Sequence, residues 1–270
     1  MRKNLVALLS IVVCCGFVSA AEGAVEFVIR STPTIQPNND YVAGATEFII
    51  SGGGMKAGIG IDDINGSTIA DITSLSITRH DDTTRFSAGS GPAVAPYFNL
   101  WVTDGGGNYA VIANEPSNGA FQPLFTANVD GSKTYDLSYT DLADKRAKVY
   151  ETPGWNSDTS WVHGLFGNDP LTFADIATLE IAPPPSAYIN NAANGVGSGA
   201  PDTLEANPIA YGFNWVFGDT LSNYVSGDEG YVVSNYSAAA GAVPEPTAIF
   251  VWSLLGTLGI AASRRRRQVA

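Results

Sequence analysis

Two pairs of oxygen-bearing side chains have the spacing that a cation site would need. Asp104 and Asn108 flank three glycines, and Asp228 and Glu229 adjoin in a second polar segment. Calcium prefers carboxylate and amide oxygens and takes about six to eight of them. Because the alternating ligands and the closing Glu of an EF-hand are missing from the first segment, the pattern predicts either a loop-built calcium site or solvated acidic turns.

A loop with two tryptophans offers the chemistry of carbohydrate recognition. Trp155, Asn156, Asp158 and Trp161 lie within seven residues of each other. The C–H faces of sugars stack on indole rings, while amide and carboxylate groups bond the hydroxyls. These four residues are therefore a candidate ligand-binding platform. The alternative is that both rings cover an edge of the fold beneath a long loop.

No residue pattern marks a catalytic centre. The chain lacks Gly-x-Ser-x-Gly, His-Glu-x-x-His and a phosphate-binding loop. Carboxylates are numerous, but no pair is set apart as the acid and base of a glycosidase. We expect a protein that is not an enzyme and that needs no cofactor, with calcium as the one candidate metal ion.

The last 27 residues combine three physical signals in a fixed order. In Pro244-Glu245-Pro246 the prolines lack amide donors and keep Glu245 in an extended, accessible backbone. The next 17 residues, 247–263, are uncharged, which is the lower limit for a membrane-spanning helix. Four arginines follow, which are Arg264, Arg265, Arg266 and Arg267. Moving them through lipid is costly, so they are expected to stay cytoplasmic.

This arrangement resembles the sorting signal of the PEP-CTERM proteins, the substrates of bacterial exosortases. The resemblance rests on residues 244–270, about a tenth of the chain. It implies a Gram-negative envelope rich in exopolysaccharide and an integral-membrane exosortase that cuts near Pro-Glu-Pro. A simple C-terminal membrane anchor is the alternative, but an anchor has no need of the Pro-Glu-Pro element. The region from about Ala70 to Asn235 also looks like the body of many PEP-CTERM proteins, and this implies no activity.

The N-terminal segment has the layout of a secretory signal peptide. Arg2 and Lys3 precede a mostly apolar run that ends in the small residues Ala20 and Ala21. We predict export through the Sec machinery and removal of residues 1–21 by signal peptidase. Both cysteines lie inside this segment. The mature chain is therefore expected to lack disulfides, thiolate metal sites and a cysteine nucleophile.

The body of the chain is strongly acidic. Six of the 14 basic residues and two of the 26 acidic residues lie in the terminal segments, which leaves 8 basic and 24 acidic residues between Ala24 and Val243. The net charge of this region is therefore −16 with neutral histidine. Such a field repels nucleic acid, so nucleic-acid binding is excluded as a function.

Short β-rich runs separated by turn residues indicate a mainly β protein. The predicted strands are Val25–Ile29, Glu47–Ile50, Ile72–Ile77 and Tyr109–Ile112. Glycine runs such as Gly52–Gly54 and Gly105–Gly107 supply the turns between them. This spacing predicts an antiparallel, jelly-roll-like β-sandwich over residues 22–236, with a separate transmembrane helix at 247–263. The one helix predicted in the body is Asp141–Val149, capped by Thr140 or Asp141.

Two aromatic strands are predicted to build the core. Phe98, Leu100 and Val102 alternate with Asn99, Trp101 and Thr103, so the two sets face opposite sides of the sheet. Residues 213–217 repeat the pattern, and Ala70–Ile77 matches Ala174–Ile181. We therefore hypothesise two similar halves, each giving one Asp-Ile strand and one aromatic strand. The small residues 237–243 are predicted to form a flexible linker.

Taken together, the sequence predicts an exported protein that an exosortase sorts, with a structural or adhesive role. It would be anchored in the inner membrane before processing and would then reach the cell surface or extracellular matrix. A carbohydrate-binding module of the exopolysaccharide is the alternative function, and a secreted hydrolase ranks third.

Overall fold

The chain folds into two antiparallel β-sheets with few helices, as seen in a computed structural model. The structure describes residues 23–81, 96–114, 120–151, 161–167, 170–195, 199–218, 226–227 and 229–241. Within these ranges the strands are β1 Val25–Arg30, β2 Thr34–Pro37, β3 Thr46–Ile49, β4 Lys56–Ile61, β5 Ile72–Arg79, β6 Tyr97–Thr103, β7 Tyr109–Ala113, β8 Thr126–Ala127, β9 Lys133–Leu137, β10 Lys148–Glu151, β11 Glu180–Ile181, β12 Phe213–Phe217 and β13 Tyr231–Ala240. The α-helices of the same ranges are α1 Tyr139–Leu142, α2 Trp161–Phe166 and α3 Ser186–Ile189.

The order of the strands differs from their order in the sequence. In the first sheet it is β1-β4-β12-β6-β7-β10, with the short β11 also paired to β6. In the second sheet it is β2-β3-β13-β5-β9-β8. The last strand of each sheet, β12 or β13, therefore lies between strands from the first half of the chain. Neither sheet is complete until the C-terminal part of the body has folded.

The two sheets share one hydrophobic core. The ring of Phe48 on β3 stacks on Phe217 of β12 with centroids 4.2 Å apart. Trp215 is fully buried, and its indole N–H donates a 3.1 Å hydrogen bond across to the carbonyl of Ser76 on β5. The inner faces of the two sheets therefore pack directly against each other, and Trp215 ties them together.

One end of the sheets, here called the lower end, gathers the points where the body begins and ends. At this end lie Ile61 of β4 and Phe213 of β12, which are paired, and Ile72 of β5 paired with Ala240 of β13. β1 enters there as well, because Val25 pairs with the residue before Ile61. The opposite, upper end carries the Phe48–Phe217 contact.

The outer face of the first sheet is covered by the segment between β11 and β12. Trp101 of β6 is fully buried there, and its indole N–H donates a 3.3 Å hydrogen bond to the carbonyl of Pro201. The ring of Tyr211 lies so close to Gly60 of β4 that a Cβ on Gly60 would be 2.2 Å from the ring. Only glycine fits at that point of β4, since no side chain tolerates such an approach.

The predicted mainly β class is confirmed, as are all four predicted strands. They appear as β1, β3, β5 and β7, with ends that differ by one or two residues at most. The alternation in β6 is also confirmed: Phe98, Leu100 and Val102 join the shared core, while Trp101 belongs to the outer cluster. Gly105 and Gly107 have φ of +74° and +95°, the turn conformation expected of them.

The predicted helix Asp141–Val149 is wrong. The helix α1 is one turn long and is capped by Ser138, earlier than predicted. The following residues enter β10, where Val149 pairs with Ile112 of β7. The free edge of β7 therefore overrides the local helical preference.

The flexible linker predicted at 237–243 is wrong for its first four residues. Ser237 to Ala240 continue β13 and pair with β5 from Ser76 to Ile72. Ala238 is buried against the core. Small side chains were interpreted as a sign of flexibility, but here they fit a close-packed strand.

The hypothesis of two similar halves is also wrong. Ala70–Ile77 leads into the eight-residue strand β5 of the second sheet, whereas Ala174–Ile181 forms turns and then the two-residue β11 of the first sheet. The two aromatic strands, β6 and β12, are direct antiparallel neighbours.

Across the described part of the chain, no helix is both long and apolar enough to cross a membrane. The predicted span at 247–263 lies outside the described residues.

Candidate functional site

The candidate cation ligands Asp104 and Asn108 close a turn between β6 and β7. One carboxylate oxygen of Asp104 accepts hydrogen bonds from the amides of Gly106 at 2.7 Å and Asn108 at 3.2 Å. The other oxygen accepts from the side-chain amide of Asn108 at 2.7 Å. Burial is the largest single influence and raises the pKa of Asp104, but the hydrogen bonds together outweigh it and hold the pKa below its usual value. The pair forms a self-contained Asx-type turn.

The second pair of candidate ligands does not join the first. Glu229 lies just before β13 at the upper end, where its carboxylate accepts a hydrogen bond from the hydroxyl of Tyr41. Asp104 follows β6 at the lower end, and Asp228 lies outside the described residues. Among the residues that the structure describes, no group of three or more His, Cys, Asp or Glu side chains could hold a metal ion.

Of the four residues in the candidate carbohydrate platform, the structure describes Trp161 alone. It opens α2, is half-buried and packs against the shared core. Its indole N–H donates a 3.2 Å hydrogen bond to the carbonyl of Tyr109 at the start of β7. Trp155, Asn156 and Asp158 lie outside the described residues.

Three similar turns, which sequence reasoning missed as a set, line the lower end. Each begins with Thr or Ser, has Asp three residues later and then Ile or Leu. The three turns are Thr68–Ile72, Ser138–Leu142 and Thr172–Ile176. In each, one Asp oxygen accepts from both the amide and the hydroxyl of the first residue, at 2.7 to 2.9 Å. The same five-residue pattern, Thr or Ser, two other residues, Asp, then Ile or Leu, occurs at all three places in the sequence and would have revealed the set.

These bonds keep the three carboxylates charged. The hydroxyl and amide of Thr68 lower the pKa of Asp71, and those of Ser138 lower the pKa of Asp141. The amide and hydroxyl of Thr172 lower the pKa of Asp175. The lower end therefore carries a stable negative charge at neutral pH.

The turns are also bonded to one another through the backbone. The amide of Ala70 in the first turn donates to Ala177, just after the third turn, at 2.9 Å. The amide of Ala174 in the third turn donates to Ala143, just after the second, also at 2.9 Å. The lower end is thus one connected layer, which we call the turn layer.

The upper end holds a buried ion pair. Arg79 and Asp81 have fully buried side chains, and the guanidinium donates to both carboxylate oxygens at 2.7 to 3.1 Å. Asp81 also accepts from the amide of Val232 on β13 at 2.8 Å. The guanidinium lies 4.9 Å above the ring of Tyr231. These contacts join β5 and β13 where both strands meet the upper end.

Two opposed asparagines lie on the outer face of the first sheet. Asn99 of β6 pairs directly with Asn214 of β12, and both are buried. The side-chain amide of Asn214 donates to the carbonyl of Tyr211 at 2.8 Å. The side-chain carbonyl oxygens of both asparagines lack a hydrogen-bond partner. A buried, unpaired carbonyl is destabilising, so the positions of these two asparagines are a weak point of the first sheet.

A carboxyl group in the covering segment has an unusual proton affinity. Asp202 follows Pro201, which receives the Trp101 hydrogen bond, and it forms an isolated bridge with Ala210. Burial raises the pKa of Asp202 to about 7. The covering segment therefore contains a group that changes charge near neutrality.

The sorting-signal residues lie beyond the described part of the chain. These residues are Pro244, Glu245, Pro246, Arg264, Arg265, Arg266 and Arg267. The structure describes what precedes them, a strand that stays paired up to Ala240. No family model, curated protein or solved structure matches the chain.

Proposed function

We propose that this protein is an exported cell-envelope or extracellular-matrix protein that an exosortase sorts through its C-terminal segment. The observation that carries the proposal is the order of Pro244-Glu245-Pro246, the uncharged residues 247–263 and the arginines 264–267. An apolar stretch of this length holds a chain in a bilayer, and the arginines fix its orientation. The Pro-Glu-Pro element then lies just outside the membrane, where an enzyme can reach it.

The body supports this proposal by where it begins and ends. β1 enters at the lower end and β13 leaves there, so the two segments that address the membrane are attached to the same end of the body. The proposed architecture is a jelly-roll-like sandwich followed by a separate transmembrane helix. Rings from both sheets in contact, such as Phe48 and Phe217, support the sandwich.

We assign the body a structural or adhesive role. Two of the candidate ligand-binding residues make hydrogen bonds inside the protein. Asp104 accepts hydrogen bonds within its own turn, and the indole N–H of Trp161 donates to the backbone carbonyl of Tyr109. A body of this kind works through its stability and surface rather than through a reaction. Its partners would be the Sec machinery and signal peptidase during export, the exosortase during sorting, and the exopolysaccharide of the matrix afterwards.

A reporter fusion tests the proposal. Residues 242–270 are fused to a secreted reporter and expressed in a host with the exosortase and in an isogenic strain without it. We expect a membrane-held, full-length fusion in the strain without the enzyme and a shortened reporter in the host that has it. Replacing Glu245 by Ala should preserve membrane binding and prevent shortening. A fusion that never enters the membrane, or that stays uncut in the competent host, would refute the proposal.

The alternative function is binding of matrix carbohydrate through the loop of Trp155, Asn156, Asp158 and Trp161. Trp161 is half-buried, so part of its side chain stays accessible to a ligand although its indole N–H bonds the backbone of Tyr109. The test is retention of the protein on neutral and acidic polysaccharides, compared between the wild type, Trp155→Ala and Trp161→Ala. Equal retention of all three proteins would remove the alternative.

A further inference from the structure

Three tyrosines gather on the outer face of the first sheet, near its β10 edge. Tyr109 begins β7, Tyr150 lies on β10 and Tyr188 lies on α3. Tyr109 and Tyr150 pack against the outer cluster that contains Trp101, so their side chains lie on the face away from the shared core. All three tyrosines are half-buried, and part of each side chain therefore meets solvent.

These three residues, here called the tyrosine platform, hold one another in place. The ring centroids of Tyr109 and Tyr188 lie 4.8 Å apart with an interplanar angle of 66°, an edge-to-face arrangement. Tyr150 pairs with Val111 of β7, two residues from Tyr109, so the two tyrosines are diagonal neighbours on one face of the strand pair. Tyrosines fixed in this way offer a large contact area and lose little conformational entropy when a ligand binds.

Positive charge borders the tyrosine platform along β10. The ammonium of Lys148 lies 5.1 Å from the ring centre of Tyr150. The two residues are two positions apart on one strand, so their side chains share a face. Their partners on β7, Ala113 and Val111, are uncharged. Arg146, two residues before Lys148, is exposed.

This local charge is opposite in sign to that of the body. Residues 144–148 contain three basic side chains and one acidic side chain, a net charge of 3 − 1 = +2, whereas the region from Ala24 to Val243 carries −16. Lys145 is paired with Asp144, so the excess comes from Arg146 and Lys148. An anionic ligand is therefore attracted to this edge of the first sheet although the body as a whole is acidic.

Aromatic rings beside cations are suited to acidic sugars. The C–H face of a sugar ring stacks on an aromatic ring, and tyrosine hydroxyls bond the hydroxyls of the sugar. A carboxylate on the same sugar is bound by arginine through two parallel N–H groups and by lysine as a point charge. A neutral sugar would use the rings alone, and a basic ligand would be repelled by the cations.

We propose that the tyrosine platform binds a polysaccharide that carries carboxylate groups. Its sugar rings stack on the accessible parts of Tyr150 and Tyr188. Its carboxylates pair with Arg146 and Lys148. The inference rests on the adhesive role proposed above and deepens it, because it names the binding surface and the class of ligand. None of these residues belongs to the candidate loop of residues 155–161.

The charge of the ligand is tested with two polymers of uronic acids, polygalacturonate and alginate, and with the same polymers after reduction of their carboxylates to alcohols. Binding of the purified full-length protein in detergent is measured. We expect the acidic forms to bind about tenfold tighter than the reduced forms, and the difference to shrink as sodium chloride screens the charges. Equal binding of acidic and reduced polymers, or binding of neither, would overturn the inference.

The basic edge is tested with Lys148→Gln, which removes one charge at the surface. The matched control is Lys133→Gln on β9 of the second sheet, because Lys133 is also half-buried and its ammonium lies 5.9 Å from the ring centre of Phe125. We expect about fivefold weaker binding of polygalacturonate to Lys148→Gln and unchanged binding to Lys133→Gln. An equal effect of both substitutions would mean that net charge, rather than this surface, governs binding.

The rings are tested with Tyr188→Leu, which keeps an apolar contact with Tyr109 and removes the stacking surface. Tyr41→Leu is the control, since Tyr41 is an exposed tyrosine at the upper end. We expect about tenfold weaker binding for Tyr188→Leu and wild-type binding for Tyr41→Leu. Urea denaturation shows whether each variant keeps its fold. If Tyr188→Leu unfolds, the comparison of the two lysine variants still decides the inference.

The outcomes separate this inference from the proposed function. Loss of binding in Trp155→Ala together with full binding in Tyr188→Leu would place the ligand on the candidate loop and overturn the inference. These measurements need no exosortase, so a negative result leaves the sorting proposal intact. A wild-type protein that is never cut in the competent host would refute the sorting proposal and leave the binding result unchanged.

Discussion

The amide of Gly241 donates a hydrogen bond to the carbonyl of Asp71, and so the end of the last strand is fixed to the first turn of the turn layer. Asp71 in turn bonds the amide and hydroxyl of Thr68, and Ala70 bonds Ala177. The last described residues of the body are therefore hydrogen-bonded to the turn layer.

The buried ion pair at the upper end should be essential for stability. Asp81→Asn leaves the guanidinium of Arg79 buried without its counter-charge, and breaking such a pair lowers the free energy of unfolding by about 3–5 kcal/mol. Urea denaturation of the purified protein measures this loss. The control is Asp144→Asn, which removes an exposed partner of Lys145 and should leave the urea midpoint unchanged. Equal midpoints for the two variants would contradict this assignment.

Trp215 should be the largest single contributor to the packing between the sheets. Its ring lies 5.2 Å from Phe213 and 6.0 Å from Tyr135. Trp215→Ala should lower the free energy of unfolding by about 3–5 kcal/mol through the cavity it leaves. Trp215→Phe keeps most of the packing and loses the bond to Ser76, so about 1 kcal/mol is expected. A phenylalanine variant as unstable as the alanine variant would show that the hydrogen bond, rather than packing, dominates.

Removing the unpaired side-chain carbonyl of Asn99 from the outer face should stabilise the protein. Asn99→Leu keeps the branched shape and the number of side-chain heavy atoms and eliminates a buried carbonyl that lacks a partner, so the free energy of unfolding should rise by about 1 kcal/mol. The comparison is Asn214→Leu, which also loses the bond to Tyr211 and should gain less. Thermal unfolding of both variants gives the answer. A clear loss of stability in Asn99→Leu would mean that its amide makes an interaction that matters to the fold.

Stability should fall as the pH rises towards neutrality because of Asp202. Its pKa is raised from 3.8 to about 7 in the folded protein, so the folded state holds a proton that the unfolded chain has released. The stabilisation is complete below the ordinary pKa and is lost as the pH rises through the folded pKa. Asp202→Asn cannot ionise, and its urea midpoint should change less than that of the wild type between about pH 5 and about pH 8. The same pH dependence in both proteins would place the titrating group elsewhere.

The parts of the fold that were predictable from the sequence are those set by alternating side chains. Phe98, Leu100 and Val102 pointed to a core face without any knowledge of the partner strand. The errors arose where a partner strand decides the structure. The prediction ran a helix through Val149 and a linker through Ala238, and the pairing with β7 and with β5 makes both residues part of strands.

The candidate site residues were less predictable than the fold. The Asp104–Asn108 turn follows from local chemistry and was anticipated as one of two alternatives. The buried pair of Arg79 and Asp81, only two residues apart, gives no sign of burial in the sequence. Its burial depends on β13, which arrives about 150 residues later and donates the Val232 amide to Asp81. Long-range contacts of this kind are not encoded in a local pattern.

The mass of the mature protein, isolated from the cells that make it, tests the central claim most directly. Intact mass spectrometry should give a chain that ends near Pro244-Glu245-Pro246, without the apolar stretch and the four arginines. A mature protein that retains residues 247–270 would contradict the sorting account. The acidic β-rich body would then remain anchored where it was first inserted.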